Sequence, residues 1–223
     1  MKNNFDSSFQ SPAESILQVE TQALKLISSA LPLEETLVAP VRTVEAQSSD
    51  MLCSVLLLDA DGLHLRHGAA PSLPSDFRLV IDRLAAGEEV GSSDMAAFRR
   101  ERACVADIAT DPLWANYREL ALQHGLHTCW SKPILDADGR GLGTFAIYYR
   151  QPRTPQASDL WFVEIATHAA AIAIGRHENG ERMRRWQNTV LEQENRLLAL
   201  KAEVNGLLVA LGRSARYAGI PSR

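Results

Sequence analysis

After Pro155 no proline occurs until beyond Leu211, and only Gly175, Gly180 and Gly206 weaken the helical character of that stretch. Helices in globular domains usually run about 8 to 20 residues. A segment this long therefore needs support outside a single core. Its pattern divides in two. Leu160, Val163, Ile165, Ala166, Ala169, Ala170 and Ile172 make the first half apolar on several sides, as expected where a helix crosses a sheet. Further on, Met183, Val190, Leu197, Val204 and Leu211 recur every seven residues, with Trp186, Gln193, Leu200 and Leu207 three after them. That is the seam of a coiled coil, interrupted by one polar residue, Gln193, which weakens pairing and sets register. Aliphatic residues at the first seam position with leucine at the second favour a parallel two-stranded form, so a homodimer through residues 179–212 is expected. Leu191, Leu198 and Leu208 widen the stripe, and packing on another helix or a larger bundle is the alternative.

The remainder is long enough for one sizeable core: 223 residues, 46% hydrophobic. A formal net charge of −4, from 27 acidic and 23 basic residues, provides no overall positive field for nucleic acid. Met1 to Pro12 lacks the order of a secretory signal, and no apolar run reaches the roughly 18 residues of a membrane span. A cytoplasmic protein with no nucleic-acid or membrane partner is expected. Cys53, Cys104 and Cys129 are odd in number and widely spaced, which suits small buried hydrophobes better than disulfides or zinc ligands. The six histidines show no metal-binding spacing.

Ser11 to Leu31 has helical apolar spacing and stops at Pro32, and a second helix is predicted over Leu33–Ala46 with a kink or restart at Pro40. Met51–Leu58 and Leu63–His67 read as strands around Asp59-Ala60-Asp61-Gly62. A helix is predicted over Asp76–Ala85, a loop over Glu88–Arg102, a strand over Ala103–Ala106, and a helix over Pro112–His124 capped by Asp111 and closed by Gly125. Strands Thr128–Leu135 and Gly143–Tyr149 flank a second turn, Asp136-Ala137-Asp138-Gly139. Gly139-Arg140-Gly141-Leu142-Gly143 precedes a strand rather than a helix, so it cannot cradle a phosphate.

Three blocks, Asp107-Ile108-Ala109-Thr110-Asp111-Pro112-Leu113-Trp114, Cys129-Trp130-Ser131-Lys132-Pro133-Ile134 and Gly141-Leu142-Gly143-Thr144-Phe145-Ala146-Ile147-Tyr148-Tyr149, resemble in sequence and order the later half of bacterial GAF domains. The version is similar to modules joined to PAS, histidine kinase or diguanylate cyclase/phosphodiesterase proteins. The resemblance implies an α+β fold: a GAF-like antiparallel sheet of five or six strands with helices packed on one face, a ligand pocket on the other, and here a long C-terminal coiled-coil helix. The expected organisation is a flexible N-terminus (1–12), a sensory domain (13–178), the coiled-coil helix (179–212) and a basic tail (213–223). Many relatives carry Gly-Ser-Cys-Gly-Thr-Ala-Ala over the pocket, where this chain has Gly91-Ser92-Ser93-Asp94-Met95-Ala96-Ala97. A relative that reduces free methionine sulfoxide needs a loop thiolate to attack the sulfoxide, and Ser93 supplies none.

The expected ligand liners are Phe98, Asp107, Trp114, Tyr117, Cys129, Ser131, Phe145 and Tyr148. Each aromatic among them serves ordinary core packing equally well. Arg99, Arg100 and Arg102 form a charged cluster that reads as a solvated turn before it reads as an anion clamp. Haem ligation by His124 or His127 and bilin attachment at Cys129 have little support, and no cofactor is assigned. The expected function is a cytosolic small-molecule sensor in signal transduction, not an enzyme, acting through its dimerising helix on itself or a signalling partner. The alternatives are a thiol-dependent small-molecule reductase using Cys104 or Cys129, and a dimerisation scaffold that binds nothing.

Overall fold

The computed structural model describes residues 31–82, 84–85, 96–97 and 99–219. The helix expected over Ser11–Leu31 falls outside them apart from its last residue, and the loop residues Gly91–Met95 and Phe98 also lie outside.

Helix α1 (Leu33–Glu45) forms because Leu33, Leu37, Val41 and Val44 fall on one stripe, all buried, while Glu34 and Glu35 complement the positive N-terminal end of its dipole. Pro40 is buried on the same stripe and the helix passes it without restarting. The carboxylate of Glu45 then accepts from the Cys53 amide (2.9 Å) and the Ser72 hydroxyl (2.7 Å), tying the helix end to the sheet.

The sheet has six antiparallel strands in the order β3-β2-β1-β6-β5-β4: β1 (Met51–Leu58), β2 (His64–Ala69), β3 (Leu84–Ala85), β4 (Ala103–Val105), β5 (Thr128–Leu135) and β6 (Gly141–Tyr149). The antiparallel sheet and long C-terminal helix are as expected. Strand alternation sorts the side chains into two cores. Met51, Cys53, Val55, Leu57, Trp130, Phe145, Ile147 and Tyr149 pack against α1 and against Val163, Ala166, Ala170 and Ile174 of α4 (Ala157–Ala210). On the opposite face, Leu52, Leu56, Leu65, Cys129, Ala146 and Tyr148 are covered by short elements. These are α2 (Ser75–Ile81), a 3-10 turn (Pro112–Trp114) and α3 (Arg118–Gln123).

Three elements differ from their sequence expectation. The helix over Asp76–Ala85 stops at Ile81, and Leu84–Ala85 instead extends the sheet beside β2. Asp82 adopts an extended conformation and its carboxylate accepts from the His67 amide at 2.7 Å, which draws the chain to the sheet edge. The helix over Pro112–His124 is split: Asp111 caps the Leu113 amide at 2.9 Å as expected, but only one 3-10 turn follows before α3 begins. Finally, β6 starts at Gly141, because a bulge against Ile134/Leu135 admits Leu142 without ending the pairing.

The chain divides into two compact units at Arg176/His177. Within the second, the helix ends at Gly212 (φ 69°), where the Arg213 amide bonds to the Leu208 carbonyl (2.9 Å) and the Gly212 amide to Val209 (3.0 Å). The following residues fold back so that fully buried Asn205 accepts from the Arg216 and Tyr217 amides and donates to the Tyr217 carbonyl. Lys201 lies 5.5 Å from the Tyr217 ring centre.

Gly143 is paired with Leu57 on one side and Ile134 on the other, and a Cβ there would sit 2.1 Å from the Leu56 carbonyl oxygen. Gly143→Ala is therefore expected to cost about 3 kcal/mol in urea denaturation, the upper end for overpacking. Gly175→Ala, in a helix with no atom near the added methyl, should instead raise stability by up to about 1 kcal/mol.

Candidate ligand-binding face

The face of the sheet opposite α1 and α4 carries a band of small polar groups inside an apolar frame. Register fixes it: Ser54 lies opposite Ala146, Leu56 opposite Thr144, Ser131 opposite Ala146, and Cys129 opposite Tyr148. Cross-strand partners share a face, so Ser54, Cys129, Ser131, Thr144 and Tyr148 all rise from the side occupied by Leu52 and Leu56. All five are buried. The Ser54 and Tyr148 hydroxyls stand 3.4 Å apart, and the Cys129 sulfur lies 3.7 Å from the Ser131 hydroxyl.

Aromatic rings close the frame. Tyr148 meets Phe77 of α2 and Trp114 edge to face, with ring centres 5.8 and 6.4 Å apart. Trp114 is held there by its turn: Asp111 caps it, and Arg118 braces the preceding segment by donating to the carbonyls of Asp111 (2.9 Å) and Ile108 (3.2 Å). Two buried polar atoms on this face, the Trp114 indole nitrogen and the Thr144 hydroxyl, have no hydrogen-bond partner among the described residues. A buried polar group left so costs about 1 to 3 kcal/mol.

Among the described residues the fully buried members of the face include no charged side chain, while Arg78 of α2 keeps its Nε buried at the edge of the face. His67 stands opposite Leu56 on β2, and its imidazole is driven toward the neutral form, first by burial and then by the Arg78 guanidinium. Arg100 extends to the Gly139 carbonyl at 3.2 Å, so this one member of the arginine cluster engages the β5–β6 turn. Among the described residues no three His, Cys, Asp or Glu side chains converge to hold a metal, and no helix is long and apolar enough to cross a membrane.

Of the residues expected to line a site, Trp114, Cys129, Ser131 and Tyr148 meet on this face, and half-buried Tyr117 packs against it. Phe145 does not: it points into the opposite core against the long helices, because it is one residue out of phase with Thr144 and Ala146. Asp107 is also displaced, since its carboxylate accepts from the Ala109 amide (2.9 Å) and shapes the turn leading to Asp111. Phe98 lies outside the described residues. Sequence reading missed Ser54, Thr144 and Phe77. A signal for the first was present, as Ser54 is the one hydroxyl in the otherwise apolar run Met51–Leu58.

The thiols are separated by the same alternation. Cys104 pairs with Trp130, whose ring lies on the helix-covered face, whereas Cys129 lies on the ligand-facing side. Burial raises the pKa of Cys53 well above the ordinary thiol range, and it also raises that of Cys104, against the opposing pull of Arg102.

The chain is 31% identical over 196 residues to the methyl sulfide methyltransferase-associated sensor of Methanosarcina acetivorans, covering 88% of this chain and 19% of that protein. It thus spans about a fifth of that relative's length. Among solved structures it is similar to the GAF domain of a phosphoenolpyruvate-protein phosphotransferase from Coxiella burnetii, with TM-score 0.58, 25% identity, and coverage of 76% of this chain and 99% of that one. It also shares the fold of free methionine-R-sulfoxide reductase from Neisseria meningitidis, with TM-score 0.59, 14% identity, and coverage of 78% and 96%. The profile of the GAF domain family matches residues 30–175, a span that contains the whole six-stranded sheet and both of its covered faces, and the chain belongs to that family.

Proposed function

We propose that this GAF domain is a small-molecule sensor in cytoplasmic signal transduction, binding its ligand over Ser54, Trp114, Ser131, Thr144 and Tyr148 and signalling through a dimerising C-terminal helix. The observation that carries the reading is the pair of polar atoms, Trp114 Nε1 and Thr144 Oγ1, buried without a partner among the described residues and beside the Tyr148 and Phe77 rings. A natural core avoids such atoms unless something else completes them. The matching ligand is compact and uncharged where it meets these two atoms, with an acceptor for the indole N–H and a hydrogen-bonding group for the hydroxyl, because no charged side chain is fully buried on this face among the described residues. The name of the Methanosarcina relative, a sensor, agrees with this reading. The reductase alternative has less support: Cys104 and Cys129 lie on opposite faces, and the Cys104 thiol is shifted away from the reactive thiolate.

For the helix, the occupant we assign to the seam is a second copy of the chain in parallel register. Met183, Trp186, Leu197, Leu200 and Leu207 are each more than half exposed, and neither Ala202 nor Asn205, the two residues buried near the tail, belongs to the seam. Isolated helices gain most of their stability from packing an apolar face.

Two measurements test these proposals. A thermal-shift screen of neutral metabolites against the whole chain should find a compound that raises the melting temperature. Thr144→Val should leave the unliganded protein as stable or more stable, and should weaken that compound about tenfold, the equivalent of one hydrogen bond. No shift with any compound sinks the sensing reading. Sedimentation should give a dimer, converted to monomer by Leu200→Glu with Trp186→Glu. In a Cys104→Ser background, Gln193→Cys should crosslink across the parallel seam, and a monomeric wild-type chain or failure to crosslink would count against this pairing.

A further inference from the structure

Resting on the ligand face just described, we infer that Tyr148 and Tyr149 form a two-sided relay in which Tyr149 reports displacement of Tyr148 to Asp159, the carboxylate that fixes the start of the long helix. The two tyrosines are consecutive at the end of β6 and face opposite ways. Tyr148 lies between Phe77 and Trp114 on the proposed ligand face, while the Tyr149 ring packs at a tilt against Trp130, centres 4.9 Å apart, in the helix-covered core.

Asp159 gathers three pieces of chain. Its Oδ1 accepts the Tyr149 hydroxyl at 2.9 Å, and its Oδ2 accepts Arg153 Nη2 at 2.7 Å and the Gln156 amide at 2.8 Å. The last bond has the form of a capping box, because a first-turn carboxylate reaches back to the amide at the helix entrance. Arg153 is itself clamped. Its guanidinium carbon lies 4.2 Å from the Tyr149 ring centre and 5.4 Å from that of Trp130, and its amide bonds to Thr128 Oγ1 and the Ala106 carbonyl. The strand end, the connecting segment and the helix entrance thus meet at one carboxylate that is only 5% exposed. Burial and the adjacent carboxylate hold the Tyr149 hydroxyl in its protonated, donating form.

Consecutive strand residues share a peptide unit, so a ligand that pushes the Tyr148 side chain out from between Phe77 and Trp114, and the end of β6 with it, also moves the peptide that carries Tyr149. The phenol on the far side then pulls on Asp159. If that bond breaks, a buried carboxylate loses one of its three donors, and the helix entrance rearranges to regain one. A packed core has discrete alternatives rather than a continuous range, and this makes a small ring displacement effective at the helix.

The test needs no ligand. Hydrogen exchange of the whole chain is followed at the amides of residues 157–165 in wild type, Tyr148→Leu, Tyr149→Phe and the double variant. Tyr149→Phe should speed exchange there about tenfold. Tyr148→Leu, imitating displacement of the ring, should do the same in wild type but add less than twofold when Tyr149→Phe is already present. Full multiplication of the two effects, or no effect of Tyr148→Leu on these amides while its own face loosens, overturns the relay. Should Tyr148→Leu not fold, Tyr148→Phe with Ser54→Ala gives a milder perturbation read in the same way. A failed ligand screen with the coupling intact would remove the sensing reading alone, whereas a ligand that binds without the coupling would remove the relay alone.

Discussion

Pairing of β6 with β1 and β5 along nearly its whole length is the constraint from which the rest of the domain follows. Eight of its nine residues are buried, and it sits near the middle of the sheet. A strand buried on both faces must serve two cores at once, so each residue is assigned to one side by its phase. Phe145, Ile147 and Tyr149 go to the helices, and Thr144, Ala146 and Tyr148 go to the ligand face. Gly143 makes the crossing possible, since its backbone lies where any side chain would strike the carbonyl of Leu56.

The two faces hold their buried polar groups differently. On the helix-covered side, the Asp159 carboxylate is satisfied by a phenol, a guanidinium and an amide, and the guanidinium is stacked on two rings. Breaking such an arrangement by removing one partner leaves an uncompensated buried group, so it fixes geometry. On the other side, the indole of Trp114 and the hydroxyl of Thr144 are buried without partners. The helix-covered side keeps one such atom too, the Trp130 indole nitrogen, so what sets the faces apart is the fully bonded Asp159 carboxylate on one and the band of buried hydroxyls with Trp114 on the other.

The second unit follows a different economy. From His177 onward the helix has few buried residues; the tail clasp satisfies Asn205 and terminates the helix, while the seam leucines and Trp186 stay in contact with solvent. Apolar residues in a seven-residue period, exposed in a single chain, are what a pairing helix presents before its partner is added. Gln193 is the polar residue of that seam, and in the proposed pairing it would weaken association while fixing register.

Much of the fold was legible in the chain itself. Strands β1 and β5 and the Asp-x-Asp-Gly turns appear where local pattern places them, because apolar runs and turn residues act at short range. The long helix likewise follows from its period and its freedom from proline. Local pattern failed where long-range contacts compete with it: Leu84 has helical spacing from Phe77, yet the Asp82 bond to His67 turns it into a sheet edge. The site was half legible. Trp114, Cys129, Ser131 and Tyr148 were found from composition and motif, but the side on which each residue of β6 falls depends on register with β1 and β5, which no local window contains. The sequence by itself therefore determined the strands, the long helix with its seven-residue apolar period and the family, since these rest on periodicity and contiguous motifs. Only the tertiary structure decided that Thr144 and Ser54 lie on the face of Trp114 and Tyr148, that Phe145 does not, and that Tyr149 is bonded to the base of the helix, because each depends on strand phase and on contacts between segments distant in the chain.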